Sequence, residues 1–484
     1  MDNFCIMQYF EWNVPDDGGH WARLEAAAPA LRSMGVGAVW IPPATKAAGP
    51  GSVGYDVYDL YDLGEFGQKG QVRTKYGDRR ALEKAIAALH REGIRVLADV
   101  VLNHKAGADA TEAFLAVEVD PNDRNRALSE PFEIEGWTRF DFPGRGGRYS
   151  AFKWNHTHFS AVDRDERQKR SAIFRITGEG KGWAWDVDGE KGNYDYLMNA
   201  DIDYGNETVA VEVENWAVWL VKSLGLDGFR MDAVKHIDRV FVKRLVDHVR
   251  QSAGERFFVV GEYWNADEAV LGRFIDESDQ ALQLFDVALH YRFAEASRKG
   301  RDYDLTRLFE GTLVAQNPFR AVTFVDNHDS QPGQALESWV EDWFKPIAYA
   351  MILLRRDGLP CLFYGDYYGV SGGPEGKRAL LDPLLDARRR LAYGEEIGFF
   401  DHPNVVGFAR LGDAEHPGSG LAVVASGGED GVKRMALGPG RAGQVFYDLT
   451  GNRPERLTLD EGGAADFLCR GGSVSVWAQD GRAE

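Results

Sequence analysis

One stretch of the sequence, DGFRMDAVKH at residues 227–236, joins an apolar strand pattern to a cluster of charged groups. Side chains alternate between the two faces of a strand, so Arg230 and Asp232 project to the same side. A carboxylate beside a guanidinium stays ionised, which is the state that a nucleophile or an electrostatic stabiliser requires. An isolated Arg-x-Asp pair is more often a structural ion pair, so the rest of the chain must decide between the two interpretations.

Three further apolar runs, DVVLNH, FVVGEYW and FVDNHD, also contain or end in ionisable residues. They contribute Asp99, Asn103, His104, Glu262, Asp326, His328 and Asp329. In a barrel of parallel strands, catalytic groups come from the C-terminal ends of the strands. Strands that all end in acid, His or Arg at one rim predict acid–base or nucleophilic chemistry on a polar, neutral substrate.

Two of these carboxylates, on neighbouring strands, suit the retaining hydrolysis of a glycoside. That reaction needs a nucleophile and an acid/base whose carboxyl groups lie roughly 5–5.5 Å apart. Asp232, beside Arg230, is the expected ionised partner, whereas Glu262 lies between a glycine and two aromatic residues and is the expected protonated partner. Asp329 supplies a third carboxylate, which can stabilise an oxocarbenium-like transition state and hold substrate hydroxyls.

Strand and helix patterns alternate along much of the chain, and this predicts an α/β fold. The apolar strands are continuous, as strands buried on both faces require, and their number fits a (β/α)₈ TIM barrel. The predicted strands cover residues 4–10, 36–41, 94–101, 228–231, 257–260, 282–287, 321–325 and 360–363. The predicted helices cover residues 21–34, 79–92, 208–224, 238–252, 305–313 and 343–356.

Two segments break the alternation. Residues 104–205 show no regular repeat and are too long for a loop, so they predict an inserted domain B after strand three. Beyond about residue 393, short strands separated by Gly, Asn and Asp predict a C-terminal antiparallel β-sandwich, with strands at 405–411, 421–425, 433–437, 445–449 and 473–477. The predicted domains are therefore 1–103 with 206–393 for the barrel (domain A), 104–205 for domain B and 394–484 for domain C.

Composition restricts the possible partners. The chain has 484 residues and a formal net charge of −19, which argues against a nucleic-acid partner. Its three cysteines indicate neither a disulfide framework nor a zinc site. No leader pattern precedes the first predicted strand and no apolar stretch approaches the length of a membrane span, so we expect a cytoplasmic monomer that does not bind membranes.

The four motifs resemble the signature regions of the α-amylase family of glycoside hydrolases, family 13. MQYFEW, AVWIPPA, GYDVYDLYDLGEF, NYDYLMNADIDY, WFKPIAYA and FYGD extend the likeness over nearly the whole chain and are similar to the bacterial liquefying and intracellular branch. The resemblance implies that Asp232 is the nucleophile, Glu262 the acid/base and Asp329 the transition-state stabiliser. The implied substrate-binding residues are Tyr55, His104, Arg230, Lys235, His236 and His328.

The resemblance also implies one calcium ion between domain B and the barrel. The residues that match its ligands are Asn103, Asp195, Asp201 and His236, the last through its backbone carbonyl. Oxygen ligands gathered from several loops suit this hard cation. Liquefying relatives carry further aspartates for additional metals, and the matching positions here are Ser160, Ala184 and Gly205. We therefore expect a single calcium ion.

Three activities remain open on the sequence alone. The first is retaining endo-hydrolysis of internal α-1,4-glucosidic bonds in starch, glycogen or maltooligosaccharides. The second is a 4-α-glucanotransferase or maltooligosaccharide-forming enzyme, in which the same residues serve a different acceptor or product. The third is a non-catalytic glucan-binding or transporter-associated subunit; such relatives lose the catalytic acids, all of which are present in this chain.

Overall fold

A closed barrel of eight parallel strands forms the centre of the protein, as predicted. The computed structural model describes residues 3–480; residues 1–2 and 481–484, the ends of predicted domains A and C, lie outside the described residues. In chain order, strands one to eight are Cys5–Gln8, Val36–Ile41, Arg95–Val100, Gly228–Met231, Phe258–Gly261, Gln283–Phe285, Ala321–Phe324 and Leu359–Phe363. Each pairs with its neighbours in sequence, and strand one closes the barrel against strand eight.

Helices cover the outside of the barrel and bury one face each against it. The α-helices are His20–Ser33, Arg79–Arg91, Glu207–Leu224, Arg239–Ala253, Glu268–Glu277, Val287–Lys299, Leu313–Gln316, Lys345–Leu353, Tyr364–Tyr368 and Arg378–Arg390. None of the helices within residues 3–480 is both long and apolar enough to cross a membrane.

The prediction of a helix at residues 305–313 is wrong. That segment holds a short 3₁₀ turn, Leu305–Arg307, and the helix that follows strand six is Val287–Lys299. Asp286 sets the start of that helix, because its carboxylate accepts the N–H of Leu289 at 3.0 Å. The same carboxylate accepts the N–H of Val314 at 2.8 Å, at the start of the next short helix. Strand six accordingly ends before Val287.

The long segment between strands three and four contains a six-stranded antiparallel sheet. The sequence showed no regular repeat there, so these strands were not predicted. In sheet order they are His104–Lys105, Ala200–Ile202, Phe159–Asp165, Arg170–Ile176, Ala110–Val119 and Phe132–Arg139. The first two lie at opposite ends of the segment, and their pairing sets Asp201 against His104. Residues that enter and leave the insertion are thereby brought together beside the barrel.

The C-terminal part of the chain is antiparallel, as predicted. Its six-stranded sheet runs Glu396–Phe399, Val405–Arg410, Leu421–Ser426, Ser473–Gln479, Val445–Asp448 and Arg456–Thr458, and a separate two-stranded antiparallel sheet pairs Gly431–Ala436 with Ala464–Cys469. One buried cluster includes Met435 and Phe467 from the two-stranded sheet and Phe446 and Trp477 from the larger sheet. The two layers therefore share a core. The strands Glu396–Phe399, Arg456–Thr458 and Ala464–Cys469 were missed from the sequence.

Candidate active site

The register of three neighbouring strands places the candidate catalytic residues at one mouth of the barrel. Arg230 lies opposite Asp99 in the pairing of strands three and four. The backbone hydrogen bonds between neighbouring strands continue past the strand ends. Asp232 N–H donates to Val100 O at 3.0 Å, and Glu262 N–H donates to Met231 O at 2.9 Å. Asp232 and Glu262 therefore leave adjacent strands at the same level, as the motif positions predicted.

Arg230 connects three carboxylates. Its side chain is completely buried and donates to Asp99 Oδ1 at 2.9 Å, to Asp232 Oδ1 at 2.7 Å and to Glu262 Oε2 at 2.7 Å. The predicted Arg230–Asp232 pair is present. However, the sequence argument that a neighbouring cation distinguishes Asp232 from Glu262 is wrong, because the guanidinium is equally close to both.

Burial shifts the protonation of these groups toward the neutral form. It is the main cause that raises the pKa of Asp232 to about 6, while the charge of Arg230 opposes the rise. Burial also raises the pKa of Glu262, and nearby Asp232 adds to this effect. The pKa of Asp329 is raised well above its ordinary value by burial and then by Glu262. At neutral pH, Asp232 is thus mostly ionised, whereas Asp329 holds its proton more strongly than an ordinary aspartate does.

The turn after Asp232 helps to hold Glu262. Ala233 adopts a left-handed backbone conformation with φ of 50°, which is uncommon for a residue with a side chain. Its N–H donates to Glu262 Oε2 at 3.2 Å. Strained backbone of this kind persists only where the surroundings enforce it, and it concentrates at functional sites.

Asp329 lies in a tight turn after strand seven. Asn327 Oδ1 accepts the N–H groups of Asp329 at 2.9 Å and of Ser330 at 2.8 Å, so a side chain of the turn itself holds its backbone. The Asp329 side chain retains 23% exposure. Its Oδ2 lies 3.1 Å from His328 Nε2. That nitrogen, however, has no aligned hydrogen-bond partner among the described residues.

Three rings with nearly parallel planes lie beside these carboxylates. The ring of Tyr55 lies 5.0 Å from that of His328 and 5.8 Å from that of Trp12, with interplanar angles of 8° and 4°. The Tyr55 hydroxyl donates to Asp99 Oδ2 at 2.8 Å. Flat apolar ring faces suit stacking against a sugar. Trp12 was missed from the sequence, although it follows strand one as the other site residues follow theirs.

The remaining predicted substrate-binding residues surround this mouth. His104 is buried, and its Nε2 lies 2.9 Å from the backbone oxygen of Tyr55. Lys235 forms an ion pair with Glu190 at 2.6 Å, and His236 Nδ1 lies 2.7 Å from Tyr194 O. Burial lowers the pKa values of His104 and His236 to about 4, so both rings are neutral. Glu190, from the insertion, was not predicted.

Residues 10–387 match the family model described as the alpha amylase catalytic domain. The chain belongs to the α-amylase family. It is 51% identical to a glucan 1,4-alpha-maltohexaosidase of Bacillus sp. strain 707, over 98% of this chain and 92% of the relative. It is 48% identical to the cytoplasmic alpha-amylase of Escherichia coli strain K12, over 99% of both chains.

Solved structures agree on the α-amylase fold. The crystal structure of the Geobacillus thermoleovorans α-amylase in complex with acarbose matches with a TM-score of 0.65, at 16% identity, over 100% of this chain and 97% of that one. A cyclomaltodextrin glucanotransferase with three domains, CldA, matches with a TM-score of 0.66 at 19% identity, over 100% of both chains. At such identities, the likeness establishes the fold alone.

Three of the residues predicted to hold calcium in this α-amylase family member lie near one another: Asn103 contacts Asp201, and Asp195 is close enough to Asp201 to influence its pKa. Asn103 Nδ2 donates to Asp201 Oδ1 at 3.2 Å, and Asp195 accepts the N–H of Ala184 at 2.9 Å. Burial raises the pKa of Asp195 to about 7, while burial and the charge of Asp195 raise that of Asp201. Two buried carboxylates that repel one another fit a cation between them.

No group of three or more His, Cys, Asp or Glu side chains within residues 3–480 is arranged to hold a metal ion. The predicted calcium set contains only two such side chains, Asp195 and Asp201, because its other oxygens come from an amide and a backbone carbonyl. Ser160, which the sequence resemblance matches to an additional metal-binding aspartate, donates its hydroxyl to Asp201 Oδ2. At this position a neutral donor thus contacts the candidate ligand.

Proposed function

We propose that this protein is an α-amylase that hydrolyses internal α-1,4-glucosidic bonds of starch, glycogen or maltooligosaccharides with retention of configuration. The observation that supports this proposal most directly is that Asp232 and Glu262 accept hydrogen bonds from two nitrogens of the Arg230 guanidinium, both at 2.7 Å. Carboxyl groups held this closely favour the retaining arrangement over the inverting one, which separates them by roughly 6.5–9.5 Å. The relatives named alpha-amylase at about half identity support the same substrate class.

In the first step, the Asp232 carboxylate attacks the anomeric carbon of the sugar. Glu262 gives its proton to the glycosidic oxygen, the bond between that oxygen and the anomeric carbon breaks, and the shortened glucan leaves with a free hydroxyl. A covalent glycosyl ester on Asp232 remains. The raised pKa of Glu262 favours the protonated form that this step needs, and the pKa of Asp232, about 6, leaves it ionised at neutral pH.

In the second step, Glu262 acts as the base. Its carboxylate takes a proton from a water molecule, the water oxygen bonds to the anomeric carbon, and the ester bond to Asp232 breaks. Asp329 can hydrogen-bond to the hydroxyls of the reacting sugar. Arg230 donates to Asp232 throughout and limits the cost of its buried charge. Tyr55 offers its ring face to the sugar.

Calcium is proposed as a structural ion. Asn103, Asp195, Asp201 and the carbonyl of His236 would hold it, and it would supply positive charge that ties the insertion to the barrel. His236 carries its carbonyl four residues after Asp232 and therefore links the candidate ion site to the candidate nucleophile. We also propose that the chain works as a cytoplasmic monomer, and its likeness to the relative named cytoplasmic α-amylase supports that location.

A rival within the same chemistry is the formation of specific maltooligosaccharides or glucan transfer. The likeness to the relative named maltohexaosidase favours the first, and a 25% identical relative named cyclomaltodextrin glucanotransferase points to the second. A sugar hydroxyl that replaces water in the second step would give transfer. A non-catalytic glucan-binding or transporter-associated role fits poorly, because all three candidate carboxylates are present at one mouth of the barrel.

The test compares wild type with Glu262→Gln on soluble starch and on maltoheptaose, with products resolved by length. Loss of the general acid is expected to lower kcat by about 10²–10⁴-fold. Glu255→Gln makes the same change at an exposed position outside the barrel mouth and should behave as wild type. Full activity in Glu262→Gln would refute the acid/base assignment, and products longer than maltoheptaose would favour transfer over hydrolysis.

A further inference from the structure

The turn that carries Asp329 also reaches toward the loop after strand one. Gln331, two residues after Asp329, is completely buried, and Glu11, the residue before Trp12, is only 1% exposed. Neither residue belongs to the strand-end motifs that mark the candidate catalytic groups. Both are polar groups in the protein interior, where such groups normally have a defined hydrogen-bonding role.

Gln331 uses both ends of its side-chain amide. Its Oε1 accepts the N–H of Trp12 at 3.1 Å, and its Nε2 donates to Glu11 Oε2 at 3.2 Å. Its own backbone N–H donates to Asn327 O at 3.2 Å, within the turn that Asn327 Oδ1 also holds. One side chain thus joins the Asp329 turn to the backbone of Trp12.

Glu11 is held in place from two further sides. Its Oε2 also accepts the N–H of Asn13 at 2.7 Å, and its Oε1 accepts the N–H of Ser371 at 3.3 Å, from the loop after strand eight. The backbone oxygen of Trp12 accepts from Lys75 Nζ at 3.2 Å. The loops after strands one, seven and eight are therefore connected through Glu11 and Gln331.

We propose that Gln331, held by Glu11, is a positioning residue that fixes the Trp12 ring relative to Asp329 and so increases sugar affinity. The inference rests on the proposed α-glucan function. An amide suits this position, because the position needs an acceptor for Trp12 N–H and a donor to Glu11 together. A carboxylate at residue 331 would lose the donor and face a second carboxylate. The Trp12 ring, parallel to Tyr55 and His328, would then lose its fixed orientation.

The experiment measures maltoheptaose binding by calorimetry in the Glu262→Gln background, so that the ligand is not consumed. Gln331→Glu is expected to weaken binding about tenfold, as is typical of a lost hydrogen bond to a charged group. Trp12→Ala should weaken binding by a similar factor, and adding Gln331→Glu to it should cause little further loss, because the amide acts through Trp12. Gln334→Glu places the same charge three residues further along the loop and should leave affinity unchanged.

A compensating second substitution distinguishes a positioning role of Gln331 from a general loss of structure. In the pair Glu11→Gln with Gln331→Glu, the amide at residue 11 can donate to the carboxylate at residue 331 but no longer accepts the Asn13 N–H, so affinity should recover part of the loss. Should Gln331→Glu fail to fold, Gln331→Met removes both hydrogen bonds of the amide without adding charge and must show at least the same loss. Unchanged affinity in a folded variant, or fully additive losses with Trp12→Ala, would overturn the proposal. Failure of the Glu262→Gln protein itself to bind maltoheptaose would instead count against the proposed function.

Discussion

Asp99 and Arg230 lie opposite each other on strands three and four, and Arg230 Nη1 donates to Asp99 Oδ1 at 2.9 Å. Asp99 Oδ2 also accepts from the Trp40 indole at 2.9 Å and from the Tyr55 hydroxyl at 2.8 Å. Asp99 thus orients the guanidinium that contacts Asp232 and Glu262, together with one ring of the sugar platform. Through Arg230, Asp99 therefore influences both the charge and the geometry of the candidate catalytic groups.

The pH dependence of catalysis should show an acid limb near pH 6. Hydrolysis needs Asp232 as a carboxylate, and burial raises the pKa of Asp232 to about 6. Activity should therefore be complete above that pH and fall as the pH drops through it. The measurement is kcat/KM for maltoheptaose from pH 4 to 9, since this ratio reports the free enzyme. A limb near pH 4, the ordinary range of an aspartate, would contradict the assignment.

Asp99→Asn should move that acid limb to lower pH. Burial is the main cause that raises the pKa of Asp232, and the negative charge of Asp99 raises it further. Removing the negative charge of Asp99 lowers the pKa of Asp232, because the charge of Arg230 then has one less carboxylate acting against it. The ionised form of Asp232 is therefore favoured. Asp227→Asn is the matched control, because Asp227 pairs with His90 at the opposite end of strand four and should leave the limb in place. A shift to higher pH in Asp99→Asn would show that the geometry of Arg230 dominates instead.

Much of the barrel could be predicted because its signal is local. Strands at residues 36–41 and 228–231 were predicted with both ends correct, since continuous apolar runs bounded by turn residues mark them. The helix after strand six was missed because Asp286 caps two helices, which start at Val287 and at Leu313 and are therefore distant along the chain. Such a contact is not visible in a local pattern. The domain boundaries at residues 103, 205 and 393 stay predictions.

The candidate site likewise contains residues that could be predicted from the sequence and contacts that could not. Asp232, Glu262 and Asp329 could be placed at one mouth because each follows an apolar strand. The three-way contacts of Arg230 could not be predicted, because two of its partners come from other strands. Trp12 and Gln331 were missed for the same reason, since their contacts join loops more than 300 residues apart in sequence. Pairings of this kind depend on the closed barrel.

Calcium removal should destabilise the protein. The proposed ion would offset the repulsion between buried Asp195 and Asp201, so EGTA is expected to lower Tm by at least about 5 °C, and added calcium to restore it. Asp201→Asn should lower Tm and abolish the response to calcium. Differential scanning calorimetry, with and without EGTA, gives this comparison independently of activity.

The control for this experiment is Asp163→Asn, which removes an exposed carboxylate from the same insertion. Its calcium response should match wild type. Equal Tm values for wild type with EGTA and with calcium would remove the ion from the proposal. A crystal structure with two or more metals beside Asp201 would contradict the expectation of a single calcium.

Lys345→Met should destabilise the protein strongly. The Lys345 ammonium is completely buried, donates to Asp326 Oδ2 at 2.6 Å and contacts Asp366 Oδ1, so its loss leaves two buried carboxylates without a cation. Breaking a buried ion pair from one side typically costs about 3–5 kcal/mol. Lys243→Met provides the matched control, because Lys243 and Asp247 form a pair with 35% and 45% side-chain exposure and should contribute less than about 1 kcal/mol. The measurement is the free energy of unfolding from urea-induced unfolding. Similar losses of unfolding free energy in both variants would show that the ion pairs of Lys345 with Asp326 and Asp366 add no special stability beneath the Asp329 turn.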